Sequence, residues 1–115
     1  MVSSCIFFFK SAGSNGLLTN VVTVPGNKKR YEWKSHHPID YYLISATVAK
    51  YVDYTIYAHP AGTADSVKIQ NYVYDNPACL PYFQTAINLT SDFIEVYSDK
   101  FGLYPFIDEK YGHCM

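Results

Sequence analysis

The first part of the chain, up to about residue 74, consists of short runs in which apolar and polar positions alternate. Such alternation puts one set of side chains on each face of a β-strand. The runs Leu17–Val24 and Tyr31–Lys34 flank the turn residues Pro25, Gly26 and Asn27, and together they predict a β-hairpin. The same pattern predicts further strands over residues 42–48, 51–57 and 67–73.

After Asn76 the apolar residues recur at steps of three and four instead of two. The positions that share this spacing are Phe83, Ala86, Ile87, Thr90, Phe93, Ile94, Tyr97 and Phe101. An opposite polar stripe is formed by Gln84, Asn88, Asp92, Glu95 and Asp99. The pattern predicts one amphipathic helix from about residue 81 to residue 100, which ends at Gly102. Because its apolar stripe is broad, this helix needs a large partner surface.

The order of these elements predicts the fold class, which is mainly β with one C-terminal helix. Strands come first and the helix last, so the chain does not build repeated βαβ units. An aromatic segment, residues 101–113, follows the helix and is expected to be coil. The two unlike parts look like the end of one domain joined to the start of another.

Composition and charge exclude several classes of partner. Nine Lys and Arg residues against ten Asp and Glu residues give a formal net charge of -1, which does not favour nucleic acid or an anionic membrane surface. No apolar run approaches the length of a membrane span, and the N-terminal stretch MVSSCIFFFK lacks the features of a signal peptide. We therefore expect a soluble chain without a signal peptide, and its localisation stays undetermined.

Residues that could carry chemistry are few and scattered. Cys5, Cys79 and Cys114 stand far apart, so three reduced cysteines are expected, and one disulfide with a spare thiol is the alternative. The adjacent His36 and His37 are expected to lie in a surface loop, and His59 is expected to lie in a turn. His113 has no second metal ligand at helical spacing. The neighbours His113 and Cys114 do not make a nucleophile and base by adjacency alone. The residues thus predict no catalytic, cofactor-binding or metal site.

Several segments nevertheless resemble a known family in order and spacing. FGLYPFIDEKYGH (101–113) resembles the segment F-G-x-Y-P-F-x-x-E-K-Y-G-H of M1-family zinc metallopeptidases, the aminopeptidase N-like gluzincins. SNGLL (14–18) resembles a strand and turn of the family's N-terminal β-domain, and the segments 31–52 and 69–102 resemble its later strands and the crossover into the catalytic domain. The resemblance extends from about Ser11 to His113.

The resemblance implies a division of the chain into two domains. It also implies a catalytic chemistry for which this chain lacks the defining motifs. It implies that residues 11–74 are the C-terminal part of a saddle-shaped β-domain, that residues 75–115 begin a thermolysin-like catalytic domain, and that residues 1–10 are unmatched. In the family, zinc is bound by H-E-x-x-H and a downstream glutamate, and a G-x-M-E-N-type strand holds the substrate's amino terminus. Neither motif occurs in this sequence. The chain alone is therefore expected to be inactive and to bind no zinc, while full-length bacterial relatives are often exported or periplasmic.

Three hypotheses follow for the chain as a whole. The resemblance is lost at both ends, which is typical of a truncated gene or an incomplete gene model. The first hypothesis is therefore that the chain is a fragment of a peptidase, and its expected partner is the remainder of that peptidase. The second is a self-contained β-rich binding module, because the sequence is 17% aromatic with twelve tyrosines, although cross-strand packing explains the tyrosines more simply. The third is a regulatory fragment that docks on a full-length peptidase.

Overall fold

A computed structural model describes residues 10–115 in full and residues 2–7 as backbone. The chain forms two compact units, Met1–Tyr51 and Val52–Met115. Its strands, in chain order, are β1 (Val2–Phe7), β2 (Ser11–Ser14), β3 (Leu17–Val24), β4 (Lys28–Lys34), β5 (Ala46–Ala49), β6 (Tyr51–Ala58), β7 (Val67–Tyr74) and β8 (Tyr111–Cys114). A single α-helix in this described part, α1, spans Cys79–Phe101. The predicted fold class, mainly β with one C-terminal helix, is confirmed.

The first unit contains the predicted hairpin. Strands β3 and β4 pair antiparallel across the turn at residues 25–27, where Gly26 (φ 85°) and Asn27 (φ 56°) both adopt the left-handed backbone. Glycine and asparagine tolerate this conformation better than other residues, so the sequence signal for the turn has a direct physical cause. Strand β1 pairs antiparallel with the other edge of β4, which gives the order β1-β4-β3.

The turn at residues 14–16 joins this sheet to a second, two-stranded sheet of β2 and β5. The hydroxyl of Ser14 donates to the carbonyl oxygen of Ser45 at 2.8 Å, and the side-chain oxygen of Asn15 accepts from the backbone nitrogen of Ser45 at 2.8 Å. Gly16 has a φ of 76°, and a Cβ at this position would overlap the backbone of Lys34. Each residue of the SNG stretch thus has a separate role in holding this turn.

Aromatic side chains of β4 form the buried centre of the first unit. Trp33 is 1% exposed and Tyr31 is 9% exposed, and both point to the same face because they are two residues apart on the strand. Ala12 of β2 is equally buried, and the hydroxyl of Tyr31 donates to the carbonyl oxygen of Lys10 at 2.8 Å. The polar end of this tyrosine therefore has a partner while its ring is packed.

The strand predicted over residues 42–48 is wrong in its first half. Residues Tyr41–Leu43 form a short 3-10 helix, and only Ala46–Ala49 form a strand. Tyr41, Tyr42, Leu43 and Ile44 are exposed, so the alternation there does not mark a buried face. The hydroxyl of Tyr42 donates to a carboxylate oxygen of Asp40 at 2.8 Å, a local bond that favours the turn.

The second unit is a three-stranded sheet, with order β6-β7-β8, covered by α1. The central strand β7 is the most buried, and Val67, Ile69, Asn71 and Val73 are each 0% exposed. Ala58 of β6 and Ile94 of α1 complete a cluster with Val67 and Ile69. The helix ends at Gly102, whose φ of 103° and ψ of 158° lie in a region that only glycine adopts readily.

The segment after the helix departs from its prediction. Residues 101–113 were expected to be coil, but Tyr111–Cys114 form β8, which pairs parallel with β7. Four residues are too few to show an alternation of apolar and polar positions, so the sequence does not predict this strand. It forms because the edge of β7 is available for pairing.

The predicted domain division also differs from the compact units, which separate between residues 51 and 52. The division at residues 74 and 75 stays a prediction, because it rests on resemblance and not on compactness. Of the predicted unmatched segment 1–10, the backbone of Val2–Phe7 forms β1, while residues 1, 8 and 9 and the side chains of 2–7 lie outside the described residues. In the described part of the chain, α1 is not apolar enough along its length to span a membrane.

Candidate functional site

The histidines considered from the sequence do not come together. His36 and His37 lie between β4 and the 3-10 helix, and the backbone nitrogen of His37 donates to the Ser35 hydroxyl at 3.3 Å. His59 is exposed after β6, whereas His113 lies on β8. Across residues 10–115, no three His, Cys, Asp or Glu side chains are grouped so as to hold a metal ion. These residues do not fit the zinc ion that the family resemblance implies.

The described cysteines do not supply a catalytic nucleophile. Cys79 begins α1 and Cys114 ends β8, and both are free thiols. The two ring nitrogens of His113 lie next to Asn71 and Tyr111, so the ring is not paired with the neighbouring Cys114. The side chain of Cys5 lies outside the described residues. The nucleophile and base arrangement that catalysis by this pair would need is therefore not formed.

The most prominent surface feature is the outward side of α1. Ile87, Thr90 and Ile94 are buried against the sheet. In contrast, Phe93 is 55% exposed, Tyr97 is 61% exposed and Phe101 is 83% exposed. Together with Leu89 and Val96, these residues form a continuous stripe at helical spacing, which we call the outer aromatic face (Leu89, Phe93, Val96, Tyr97 and Phe101). Exposed apolar surface of this extent is typical of a surface that another polypeptide covers.

An apolar groove continues this face at the C-terminal end of α1. It has a volume of about 470 Å³ and an uncharged lining that includes Ile94, Tyr97, Phe101, Leu103, Tyr104 and Tyr111. The rings of Tyr97 and Phe101 lie 6.0 Å apart, and those of Tyr104 and Tyr111 lie 6.3 Å apart. A groove of this composition suits apolar side chains and offers little to a charged ligand.

Tyr104 sits at the inner wall of the groove. Its hydroxyl donates to the carbonyl oxygen of Lys110 at 3.2 Å, which ties the segment after α1 to the start of β8. Burial raises the pKa of Tyr104 to about 12, and the nearby Tyr111 and Glu109 add to the shift. The phenol therefore stays neutral, which preserves the apolar character of the groove.

Sequence reasoning missed a set of polar contacts between α1 and the sheet. The Tyr54 hydroxyl donates to the side-chain oxygen of Asn88 at 3.0 Å and accepts from the side-chain nitrogen of Gln84 at 3.2 Å. A carboxylate oxygen of Glu95 accepts from the backbone nitrogen of His59 at 2.7 Å. Gln84, Asn88 and Glu95 belong to the polar stripe opposite the apolar one, and the spacing of residues along a helix does not indicate such bonds.

The known proteins that match this chain match it by structure and not by sequence. No protein-family model and no curated protein matches the sequence. A mutant M1 zinc metallopeptidase from Deinococcus radiodurans matches with a TM-score of 0.79 and 22% identity over 98% of this chain and 25% of that chain. The same organism's enzyme bound to a Tyr-Ser-Ala substrate matches with a TM-score of 0.75 and 23% identity, over the same shares of the two chains.

A third structure, a two-domain M1 zinc metallopeptidase mutant bound to L-arginine, matches with a TM-score of 0.75 and 22% identity, again over 98% of this chain and 25% of that chain. The chain therefore spans about a quarter of the length of the structures that it matches. Across that quarter, the chain has the fold of M1 zinc metallopeptidases.

Proposed function

We propose that this chain is a segment of an M1-type zinc metallopeptidase that supplies scaffold and not catalytic groups. Two independent observations support the proposal. The sequence motifs resemble that family along most of the chain, and the fold matches about a quarter of the length of an M1 zinc metallopeptidase structure. In the full-length family the activity is hydrolysis of a peptide bond at a substrate's amino terminus.

The chain by itself is proposed to be inactive. The sequence contains neither H-E-x-x-H nor a G-x-M-E-N-type strand, so it offers no set of zinc ligands and no clamp for an amino terminus. In the family these motifs supply the metal and the general base that activate water, so we expect this chain to hydrolyse no peptide bond.

A direct measurement tests this proposal. The purified chain, incubated with zinc, is expected to release no product from an aminoacyl reporter substrate and to retain no stoichiometric zinc after desalting. Turnover that is abolished by a chelator, together with one bound zinc ion per chain, would overturn the proposal. A His113→Gln variant serves as a control, because loss of zinc in that variant would locate an unrecognised ligand.

The outer aromatic face is the single observation that favours a partner. We propose that this face and the adjoining groove pack against the remainder of the peptidase, because the matched structures contain about three times as much further polypeptide. Apolar side chains that are 55–83% exposed here would then be covered. Burial of such rings contributes roughly 25 cal/mol for each Å² removed from water.

The docking proposal has its own test. The chain is mixed with the Deinococcus radiodurans enzyme from which the matched quarter has been deleted, and binding is measured by size-exclusion chromatography. We expect a complex with the wild-type chain and weaker binding with Phe93→Gln, which removes a ring from the outer aromatic face. Tyr41→Gln is the matched control, because Tyr41 is 84% exposed but lies in the first unit.

Equal binding by both variants, or no binding by the wild type, would contradict docking through this face. Neither result would alter the zinc experiment, so the two proposals fail separately.

A further inference from the structure

Strand β8 lies at the edge of the sheet in the second unit, and its outer side is open. Among the strands that the structure describes, only β7 pairs with β8. Met115 continues this pairing beyond β8, because its nitrogen donates to the carbonyl oxygen of Tyr72 at 2.9 Å and its carbonyl oxygen accepts from the nitrogen of Tyr74 at 2.7 Å. Both main-chain groups of Met115 therefore face β7.

The alternation of a strand then gives the direction of the other main-chain groups in β8. Successive residues direct their N–H and C=O groups to opposite sides of a strand, so Gly112 and Cys114 direct theirs away from β7, opposite to Met115. Gly112 and Cys114 are both exposed. Apart from the pairing with β7, no main-chain hydrogen bond of the described residues reaches either of them. Alternate donors and acceptors along an open edge are what another extended polypeptide satisfies.

The apolar groove at the end of α1 adjoins this open edge. Tyr111, the first residue of β8, lines the groove together with Leu103 and Tyr104. The side chains of Tyr111 and His113 share one side of the sheet, because the two residues are two positions apart on the strand. A strand added beside β8 would place every second side chain on that same side, next to the groove.

Other occupants satisfy only one half of this site. A small apolar molecule fits the groove, whose lining is uncharged, but it leaves the main-chain groups of Cys114 without a partner. A helix presents no free main-chain groups along its side, so it also leaves the edge unpaired. An extended segment with an apolar side chain satisfies the edge and the groove together.

We propose that the open edge of β8 and the groove form a site for strand addition, which binds an extended polypeptide segment with bulky apolar side chains at alternate positions. The main chain of the segment pairs with Gly112 and Cys114, and one of its apolar side chains enters the groove beside Tyr111. The site lies within the second unit, and binding to it does not depend on the proposed peptidase origin.

Amide hydrogen exchange of the full, isotope-labelled chain, measured by nuclear magnetic resonance, tests the open edge. In the free chain, the amides of Gly112 and Cys114 should exchange faster than that of Met115, because only Met115 donates to β7. The probe is a peptide of alternating leucine and threonine, blocked at both ends. When it is added, exchange at Cys114 should slow by about tenfold or more. No binding of the peptide, or binding without slower exchange at Cys114, would overturn strand addition.

A matched pair of peptides separates main-chain pairing from filling of the groove. A second peptide with the same side chains carries a methyl group on every amide nitrogen, so it cannot donate to a strand. We expect it to bind at least about tenfold more weakly than the first peptide in fluorescence anisotropy, because the lost bonds leave acceptors of β8 unpaired. Equal affinities would show that the groove alone binds the peptide, which contradicts the proposal.

A matched pair of variants tests the same pairing from the side of the chain. Cys114→Pro removes the outward N–H but no bond to β7, and proline is tolerated at an edge position of this kind. It should weaken binding of the first peptide by about tenfold, whereas Cys114→Ala, which keeps the N–H, should bind as the wild type does. Gly112 is left unchanged, because a Cβ there would overlap the carbonyl oxygen of Gln70. Equal binding by the two variants would rule out pairing at Cys114.

The comparison of the two peptides needs no variant, so a Cys114→Pro chain that fails to fold does not remove the test. If the Deinococcus radiodurans enzyme that lacks the matched quarter binds the chain but the peptide does not, strand addition is overturned and the docking proposal stands. If the peptide binds but that enzyme does not, strand addition stands and the docking proposal fails.

Discussion

The two sides of α1 have similar apolar character but opposite environments. Ile87 and Ile94 are 1% and 7% exposed against the sheet, whereas Phe93 and Tyr97, on neighbouring positions of the same helix, are 55% and 61% exposed. Residue type does not distinguish the two sides, since the outer one carries the larger rings. The difference shows that the spacing of apolar residues along a helix indicates an apolar side but does not tell which part of that side is buried against the sheet.

The outer side therefore tells more about function than the inner side. The inner side contributes to the stability of the second unit, as core residues of any small domain do. The outer side has no role in that core, yet it keeps a ring at nearly every turn of the C-terminal half of the helix. An exposed apolar surface of this extent is typical of a surface that another polypeptide covers, which is the basis of the docking proposal.

The largest expected effect comes from the inner side. Ile87→Ala should lower the free energy of unfolding by about 2–5 kcal/mol, because it removes buried methyl groups and leaves a cavity beneath the helix. Urea denaturation followed by circular dichroism measures the change. Leu89→Ala is the matched control on the outer side, where the side chain is 46% exposed, and should change the free energy by only about 0.5 kcal/mol. Equal losses in the two variants would remove the distinction between the sides.

The helix end gives an effect of intermediate size. Gly102→Ala should lower the free energy of unfolding by about 1–3 kcal/mol, because a φ of 103° with a ψ of 158° strains any residue that has a Cβ. Nothing lies within 4 Å of the added methyl group, so the loss measures backbone strain and not a clash. Thr85→Ala, at an exposed position inside the helix, controls for the substitution itself. A stability equal to that of the wild type would show that the chain leaves α1 by a different path.

The smallest effect on stability is expected on the outer aromatic face. The double variant Phe93→Gln with Tyr97→Gln should change the free energy of unfolding by roughly 0.5 kcal/mol or less for each site, since both rings are mostly in water and glutamine favours helix. Its self-association, measured by sedimentation velocity, should fall sharply relative to the wild type. A cooperative loss of structure in this variant would show that these rings belong to the core of the second unit.

Much of the fold could be predicted from local patterns. The β3–β4 hairpin and α1 were both confirmed, because their turn residues and their three-to-four period are properties of neighbouring residues. The failures share a cause as well. The apolar residues at 42–44 are exposed and lie in and just after a 3-10 helix, so their alternation does not mark a strand. Strand β8 forms because an edge of β7 is available to it, and no pattern in residues 111–114 reveals that edge.

The candidate sites were less predictable than the fold. The broad apolar stripe of α1 indicated that a partner surface was needed, and the structure locates the uncovered part at Phe93, Tyr97 and Phe101. The bond between Asn71 and His113 joins residues that are 42 positions apart and of unlike type, so no local motif could have indicated it.

By itself, the sequence determined the strand-rich first part, the single helix and the lack of the two peptidase motifs, because each depends on residues that are close together along the chain. The tertiary structure alone decided which side of α1 is covered, where the short edge strand pairs and which residues contact the ring of His113. These features depend on contacts between distant residues, whose burial and bond geometry are set only when the sheet and the helix have packed together.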